Sequence, residues 1–210
     1  SSGLALDLAC GLGGNSFFLA EQGLQVDAWD ISAVAIEHIN TQRSDGQHIN
    51  ATVIDLSSER PTLLRPGGLP LEEIEKVIGP VEIHPAVKGK AVDLARAPGM
   101  KYRHYSPNAR VVLVEGPREK VREKIEELIA EYRSKGYRVG VMATEEFEAD
   151  EFFHLGETLE DVAKNLFRAL RELDRRGVDV IIAEGVEERG LGLAVMNRLR
   201  KASGYRIIRA

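Results

Sequence analysis

From residue 111 onward, short apolar segments alternate with longer amphipathic ones, and helix-capping residues or glycines lie at the boundaries between these segments. The apolar segments predict strands at 111–114, 137–143, 152–154, 178–184 and 205–209. The amphipathic segments predict helices at 118–135, 158–175 and 191–202, with Thr158 as an N-cap and Gly136 and Gly177 as stops. Strands separated by helices pair in parallel. This half of the chain is therefore predicted to be an α/β domain with a Rossmann-like, mostly parallel sheet.

The first fifty residues predict a βαβα segment of a different character. Strands are expected at 4–9 and 25–29, and helices at 15–22 and 33–40, which together make half of a Rossmann unit. Residues 1–50 carry a net charge of −5, residues 51–110 carry +2, and residues 111–210 carry −2. We therefore predict a βαβα segment at 1–50, a linker and lid region at 51–107, and a Rossmann-like C-terminal domain at 108–210.

Composition narrows the classes of function. A net charge of −5 argues against direct nucleic-acid binding, and a single cysteine excludes a disulfide framework and a four-cysteine zinc site. No apolar run reaches the length of a membrane span, so we expect a cytoplasmic protein without membrane contact. The histidines lack metal-ligand spacing, and we assign no metal site and no catalytic residue. The sequence assigns no oligomeric state.

A glycine-rich turn follows the first predicted strand. Gly11 and Gly13 lie between that strand and a helix, where glycines let the backbone approach a ligand closely. Asp30 ends the second strand, at the position where a carboxylate accepts hydrogen bonds from a ribose diol. Asp55 ends the third predicted strand, 51–56, and is placed to meet an adenine amino group.

Residues 3–43 resemble the first half of the nucleotide site of class I S-adenosylmethionine-dependent methyltransferases. The positions that match are Asp7, Gly11, Gly13 and Asp30, and they imply S-adenosylmethionine as cofactor. The later strands of that family, with their Asp/Asn-Pro-Pro-Tyr type of motif, do not follow. The alternative is a generic βαβ unit with tight turns.

A basic segment precedes the C-terminal domain. Residues 95–110 hold basic side chains and no acidic ones, and prolines keep the segment extended. Arg96, Lys101, Arg103 and His104 are donors suited to phosphate. A solvated basic linker is the alternative.

The segment Ala97-Pro-Gly-Met-Lys-Tyr-Arg-His-Tyr-Ser-Pro resembles the interdomain loop of the long form of threonylcarbamoyl-AMP synthases. The stretches that begin at Thr52, Leu64 and Gly190 also match that family, so the resemblance covers 51–210. It implies that Thr52 and Arg65 contact ATP or the adenylate product. It also implies that His104 and Tyr105 belong to a loop that covers the nucleotide site between the domains.

Two departures qualify this resemblance. Ala51 stands where the family usually has Ser, and the bulk of the family's catalytic domain has no counterpart in residues 1–50. We therefore expect the C-terminal regulatory and lid part of a threonylcarbamoyl-AMP synthase, a nucleotidyltransferase of tRNA threonylcarbamoyladenosine biosynthesis that uses ATP and L-threonine. We expect it to be inactive alone. The alternatives are an S-adenosylmethionine-binding, methyltransferase-like protein and a chimaeric scaffold without activity.

Overall fold

The computed structural model describes residues 4–8, 14–22, 25–30, 49–56, 59–88 and 107–210. Contacts between residues divide the chain into two compact units. The first unit comprises Ser1–Tyr102 and Arg189–Ala194, and the second comprises Arg103–Glu188 and Val195–Ala210. Among the described residues, no helix combines the length and apolar character that crossing a bilayer requires.

The first unit is built on a five-stranded sheet in the order β1-β2-β3-β4-β5. Its elements are β1 (Leu4–Leu8), α1 (Gly14–Glu21), β2 (Gln25–Asp30), β3 (Ile49–Asp55), β4 (Thr62–Arg65), α2 (Leu71–Ile78), β5 (Glu82–Ile83) and a 3-10 helix at Pro85–Lys88. The predicted strand–helix–strand run at the N-terminus is therefore present, and the predicted helix at 33–40 lies outside the described residues.

Strand β3 lies at the centre of this sheet. It pairs in parallel with β2 and antiparallel with β4, with an irregularity in register between Val53 and Ile54. One core cluster joins Ile54 of β3, Leu63 of β4 and Ile74 of α2 with Val81, Val87 and Leu193. The two family resemblances meet at β3, and this strand is hydrogen-bonded both to β2 on the N-terminal side of the junction and to β4 on the C-terminal side.

The second unit contains a five-stranded sheet in which every neighbouring pair is parallel. The strands are β6 (Arg110–Glu115), β7 (Val139–Ala143), β8 (Glu151–His154), β9 (Val180–Glu184) and β10 (Ile207–Arg209), in the order β10-β6-β9-β7-β8. Helices α3 (Arg118–Ser134), α4 (Leu159–Arg175) and α5 (Gly192–Ala202) connect them. The prediction of a Rossmann-like α/β fold with a mostly parallel sheet is confirmed.

Both faces of this sheet are covered. Along β6, Val111 and Leu113 pack into the core cluster that contains α4 and α5, whereas Val112 and Val114 pack into the cluster that contains α3. This is the period of two that a strand imposes on its side chains. Every residue of β7 and β9 is buried, which explains why these strands carry no polar side chain before Glu184, the last residue of β9.

The two long helices bury one face each, as their sequence periodicity predicts. Helix α3 buries Val121, Ile125, Leu128 and Ile129, and helix α4 buries Val162, Leu166, Ala169, Leu170 and Leu173. The spacings of three and four residues place these side chains on a single stripe. The opposite face of α3 carries exposed ion pairs, including Arg122–Glu126 and Lys124–Glu127.

Helix α4 begins with the N-cap that the sequence predicts. The Thr158 hydroxyl accepts a hydrogen bond from the Asp161 backbone N–H at 3.2 Å, and the Asp161 carboxylate accepts one from the Thr158 N–H at 3.3 Å. These reciprocal bonds form a capping box. The Thr158 hydroxyl and backbone bonds hold the pKa of Asp161 below its usual value.

Strands β7, β9 and β10 each begin two residues later than the sequence predicts. Strand β7 begins at Val139 rather than at residue 137, because the Arg138 N–H donates to the Asp179 carboxylate instead of to a neighbouring strand. Strand β10 begins at Ile207 rather than at residue 205, because Gly204 and Tyr205 both have left-handed φ, at 58° and 61°. The aperiodic segment 79–110 contains β5 and the 3-10 helix.

We predict that Gly156→Ala will destabilise the second unit far more than Gly136→Ala. Both glycines have a positive φ, so alanine costs about 1 kcal/mol of backbone strain at either position. At Gly136 a Cβ atom would meet no neighbour within 4 Å, whereas at Gly156 it would overlap the Cβ of Asp161. We expect a loss of about 3 kcal/mol or more in the free energy of unfolding for Gly156→Ala. Urea denaturation of both variants measures the difference, and equal losses would contradict the packing argument.

Candidate functional site

Thr52 is the most informative of the predicted nucleotide-binding residues. It lies in β3, where its side chain is only 2% exposed, and neighbouring Val53 and Ile54 are also buried. The Thr52 hydroxyl oxygen has no hydrogen-bond partner among the described residues. Buried hydroxyl groups in folded proteins nearly always have a partner, because an unmade bond costs about 1–3 kcal/mol. Thr52 therefore presents a polar atom suited to a further hydrogen-bonding group.

Arg65 lies on the strand next to Thr52. It is the last residue of β4, and the antiparallel register pairs it with Val53. The backbones of Thr52 and Arg65 are thus close neighbours. Because side chains alternate along a strand, those of Thr52 and Arg65 leave opposite faces of the sheet. The sheet brings together the two positions and does not direct the two side chains to one point.

The acidic residues of the methyltransferase-like pattern lie toward the carboxyl ends of three adjacent parallel strands. Asp7 is next to the end of β1 and pairs with Ala28, and Asp30 is the last residue of β2 and pairs with Val53. Asp55 is the last residue of β3 and is half-buried. The carboxyl edge of parallel strands is where α/β sheets bind nucleotides. Helix α1 begins at Gly14, after β1.

The remaining predicted site residues fall outside the described part of the chain. These are Gly11 and Gly13 of the glycine turn, and His104 and Tyr105 of the basic segment. Their assignment to cofactor and nucleotide binding stays a prediction.

In the second unit, the carboxyl end of β9 carries a buried acid. Glu184 is 7% exposed, and its carboxylate accepts hydrogen bonds from the Thr144 N–H at 2.6 Å and from the Thr144 hydroxyl at 2.8 Å. The imidazole Nε2 of His154 lies 2.9 Å from the Thr144 carbonyl oxygen. The ends of β7, β8 and β9 are thus linked by side chains.

A second cluster at this edge surrounds a buried guanidinium. Arg200 of α5 is 3% exposed, and it bonds Glu115 at 2.7 and 3.2 Å and Glu188 at 3.1 Å. Burial opposes the charge of Arg200, but the bonds from Glu188 and Glu115 outweigh this effect and raise its pKa. Two carboxylates face one arginine, so the buried guanidinium is paired within the unit.

The sequence pattern alone does not single out Glu115 or Arg200 as an ion pair. Two features of the sequence could have pointed to this ion pair. Arg200 directly follows Leu199, an apolar residue on the buried side of the last helix, and Glu115 is an acid at the end of an apolar strand. Gly190 and Gly192 lie just before or at the start of the last helix, in a glycine turn of the kind that can bind an anion. In the first unit, the Gly190 N–H there donates to the Glu72 carboxylate at 3.3 Å, so this donor is engaged by an acid.

Two family models match separate parts of the chain. The model described as "Threonylcarbamoyl-AMP synthase, C-terminal domain" matches residues 69–204. The model described as "Tellurite resistance protein TehB" matches residues 1–61. The two matches do not overlap, which supports the inference from sequence that the N-terminal segment and the remainder resemble different proteins.

Individual proteins similar to this chain support the match to the threonylcarbamoyl-AMP synthase model. The chain is 69% identical over 161 residues to the threonylcarbamoyl-AMP synthase of Pyrococcus abyssi (strain GE5 / Orsay), covering 77% of this chain and 47% of that protein. It spans about half the length of the curated relatives it matches.

Two solved structures from P. abyssi are also similar. The crystal structure of P. abyssi Sua5 complexed with L-threonine matches with a TM-score of 0.73 and 61% identity, covering 86% of this chain and 56% of that chain. A P. abyssi Sua5 variant, in which a histidine and the tyrosine that follows it are both alanine, matches with a TM-score of 0.70 and 58% identity, covering 86% and 55%. The chain belongs to the threonylcarbamoyl-AMP synthase family, whose C-terminal domain it contains.

Proposed function

We propose that this chain is the C-terminal regulatory part of a threonylcarbamoyl-AMP synthase of tRNA modification and that it binds ATP or the adenylate product. The contacts that the family resemblance implies are Thr52 and Arg65, with His104 and Tyr105 of the covering loop. Of the first two, Thr52 is the contact that the sheet geometry supports, because the two side chains leave opposite faces. The division into segments 1–50, 51–107 and 108–210 belongs to the same proposal.

The observation that carries this proposal is the buried hydroxyl of Thr52. The family resemblance assigns this position to the nucleotide, and its oxygen has no partner among the described residues. A bound nucleotide offers hydroxyl, amino and phosphate groups, any of which forms the missing bond. Such a group would recover the cost of burying the hydroxyl, so part of the binding free energy would come from this one atom.

A second observation supports His104 and Tyr105. The P. abyssi Sua5 variant replaces an adjacent histidine and tyrosine. His104-Tyr105 is the sole His-Tyr pair in this sequence. We therefore assign that pair to the nucleotide-covering role that the resemblance implies.

We predict that Thr52→Val will weaken ATP binding without destabilising the chain. Valine has the shape of threonine and lacks the hydroxyl oxygen that has no partner among the described residues. The free energy of unfolding without ligand should therefore stay the same or rise by up to about 1 kcal/mol. Binding of ATP should weaken about tenfold, since one hydrogen bond to the ligand is lost. Isothermal titration calorimetry and thermal melts measure the two effects.

Thr62→Val is the matched control. Thr62 lies on the neighbouring strand, and its hydroxyl already donates to the Arg60 carbonyl oxygen at 3.3 Å. Its loss should leave ATP affinity unchanged. If the unmodified chain binds no ATP, or if both variants bind it equally well, the proposed role of Thr52 is wrong.

We also propose that this chain does not synthesise threonylcarbamoyl-AMP by itself, because its N-terminal segment lacks the Lys/Arg cluster and the Ser-x-Asn stretch of the family's catalytic domain. Purified protein supplied with ATP, L-threonine and bicarbonate should release no pyrophosphate above background. Pyrophosphate release that depends on both threonine and bicarbonate would overturn this prediction.

S-adenosylmethionine binding is the second candidate function. It is supported by the placement of Asp7, Asp30 and Asp55 toward the carboxyl ends of adjacent parallel strands. In this arrangement Asp30 would accept hydrogen bonds from the ribose, and Asp55 would meet the adenine amino group. A chimaeric scaffold that binds neither ligand is the remaining alternative.

We predict that, if this second function holds, Asp30→Ala will abolish the heat of S-adenosylmethionine binding. Asp27→Ala is the control, because Asp27 lies on the same strand three residues before its carboxyl end. Calorimetry at millimolar cofactor measures both. The absence of heat with the unmodified chain, or equal effects of the two variants, would exclude this function.

A further inference from the structure

A cavity of about 360 Å³ opens at the amino edge of the sheet in the second unit. Its lining includes Arg110 and Val180, the first residues of β6 and β9, and Ala202, the last residue of α5. Every described lining residue belongs to the second unit. The cavity thus lies at the edge opposite to the one that carries Glu115 and Glu184, and its volume is in the range of small-molecule sites.

Two arginines bring unused donors to this cavity. Arg110 is exposed, and its guanidinium has no hydrogen bond or ion pair with any described residue. Arg206 donates from Nη1 to the Ser203 carbonyl oxygen at 3.2 Å and pairs with no carboxylate in the described part of the chain. Guanidinium groups elsewhere in this unit do form ion pairs, as Arg133 does with Asp150 at 3.0 Å. The donors that line the cavity are therefore available to a ligand.

The sheet places these two arginines near each other. The register of β10 on β6 pairs Ile207 with Leu113, and the Leu113 N–H donates to the Arg206 carbonyl oxygen at 2.9 Å. Arg206 therefore lies beside Val112, two residues along β6 from Arg110. With strands about 4.8 Å apart and a rise of about 3.3 Å per residue, the two arginine Cα atoms are about 8 Å apart. Two long side chains can reach one ligand group from this separation.

The charges of the lining favour an anion. Asp179 is the acid among the described lining residues, and its Oδ2 already accepts a hydrogen bond from the Arg138 N–H at 2.7 Å. A phosphate group has at least three acceptor oxygens, so it can accept a bidentate pair of bonds from one guanidinium and further bonds from a second. A carboxylate carries a single charge on two oxygens and suits one guanidinium better than two.

The cavity also has room for more than a phosphate group. Ala202 and Val111 contribute small apolar surfaces to it, and Tyr137 contributes an aromatic ring that is 41% exposed. The Tyr137 ring is held edge-on against Tyr132, with the ring centroids 6.1 Å apart. It therefore offers a fixed aromatic surface to the organic part of a ligand.

We propose that this cavity binds a small organic phosphate. Arg110 and Arg206 hold its phosphate group, and the organic part lies against Tyr137. This site is contained within the second unit, so it is separate from the proposed contact of ATP with Thr52 in the first.

The test is a titration of the full chain with phenyl phosphate, followed by the amide signals in ¹H–¹⁵N NMR spectra. At millimolar concentrations we expect the amides of Arg110, Tyr137 and Arg206 to shift. Arg110→Gln and Arg206→Gln should each weaken binding about tenfold, because each removes charge-assisted hydrogen bonds. Neither should lower the melting temperature without ligand, since neither guanidinium has a carboxylate partner among the described residues.

Arg209→Gln is the matched control for charge. Arg209 is an exposed residue of β10 that is not among the described lining residues, so its replacement removes the same charge from the same strand region. It should leave the affinity for phenyl phosphate unchanged. Thr52→Val should also leave it unchanged, so failure of this site and failure of the proposed ATP site are distinguishable.

Two further probes test the class of ligand. Inorganic phosphate should shift the same amides but bind more weakly, because it has no organic part, and benzoate should bind more weakly still. Equal binding of either probe would overturn the assignment to an organic phosphate. No shift of these amides with phenyl phosphate, or equal weakening in Arg209→Gln, would overturn the site itself.

Discussion

The burial of β6 and β9 on both faces is the constraint on which the second unit depends. A strand covered on both sides must be apolar at nearly every position, and its backbone bonds must be satisfied by strands on either side. Val111–Val114 and Val180–Ile182 meet the first condition. Strands β10 and β7 meet the second. Polar residues are then confined to the strand ends, where Glu115 and Glu184 find partners in Arg200 and Thr144.

In the first unit, one strand carries both resemblances. Strand β3 pairs with β2, which belongs to the part that matches the TehB model, and with β4, which precedes the part that matches the synthase C-terminal domain. It also carries Thr52, a proposed contact of ATP, and ends at Asp55, a proposed contact of S-adenosylmethionine. Both proposed ligands would therefore be bound by residues of this one strand. A junction at a strand keeps backbone bonding intact, because those bonds do not depend on which side chains are present.

Much of the second unit follows from its sequence, because periodicity, caps and stops agree there. Thr158 and the stripe through Val162, Leu166 and Leu173 predict helix α4 correctly. The start of β7 could not be predicted, since it depends on Asp179, which lies 41 residues from Arg138. The absence of a hydrogen-bond partner for the Thr52 hydroxyl among the described residues could not be predicted either, because it reflects the packing of the sheet rather than any local pattern.

The strand order of the second unit has a consequence for how it assembles. Strands β6 and β7 follow each other in the chain, yet they do not pair, because β9 lies between them. Their inner edges remain without hydrogen-bond partners until residues 180–184 are available. Such a sheet cannot grow strand by strand as the chain leaves the ribosome. Its folding must be dominated by contacts between distant residues, which slows the search and prolongs the time during which these apolar edges are exposed to other chains.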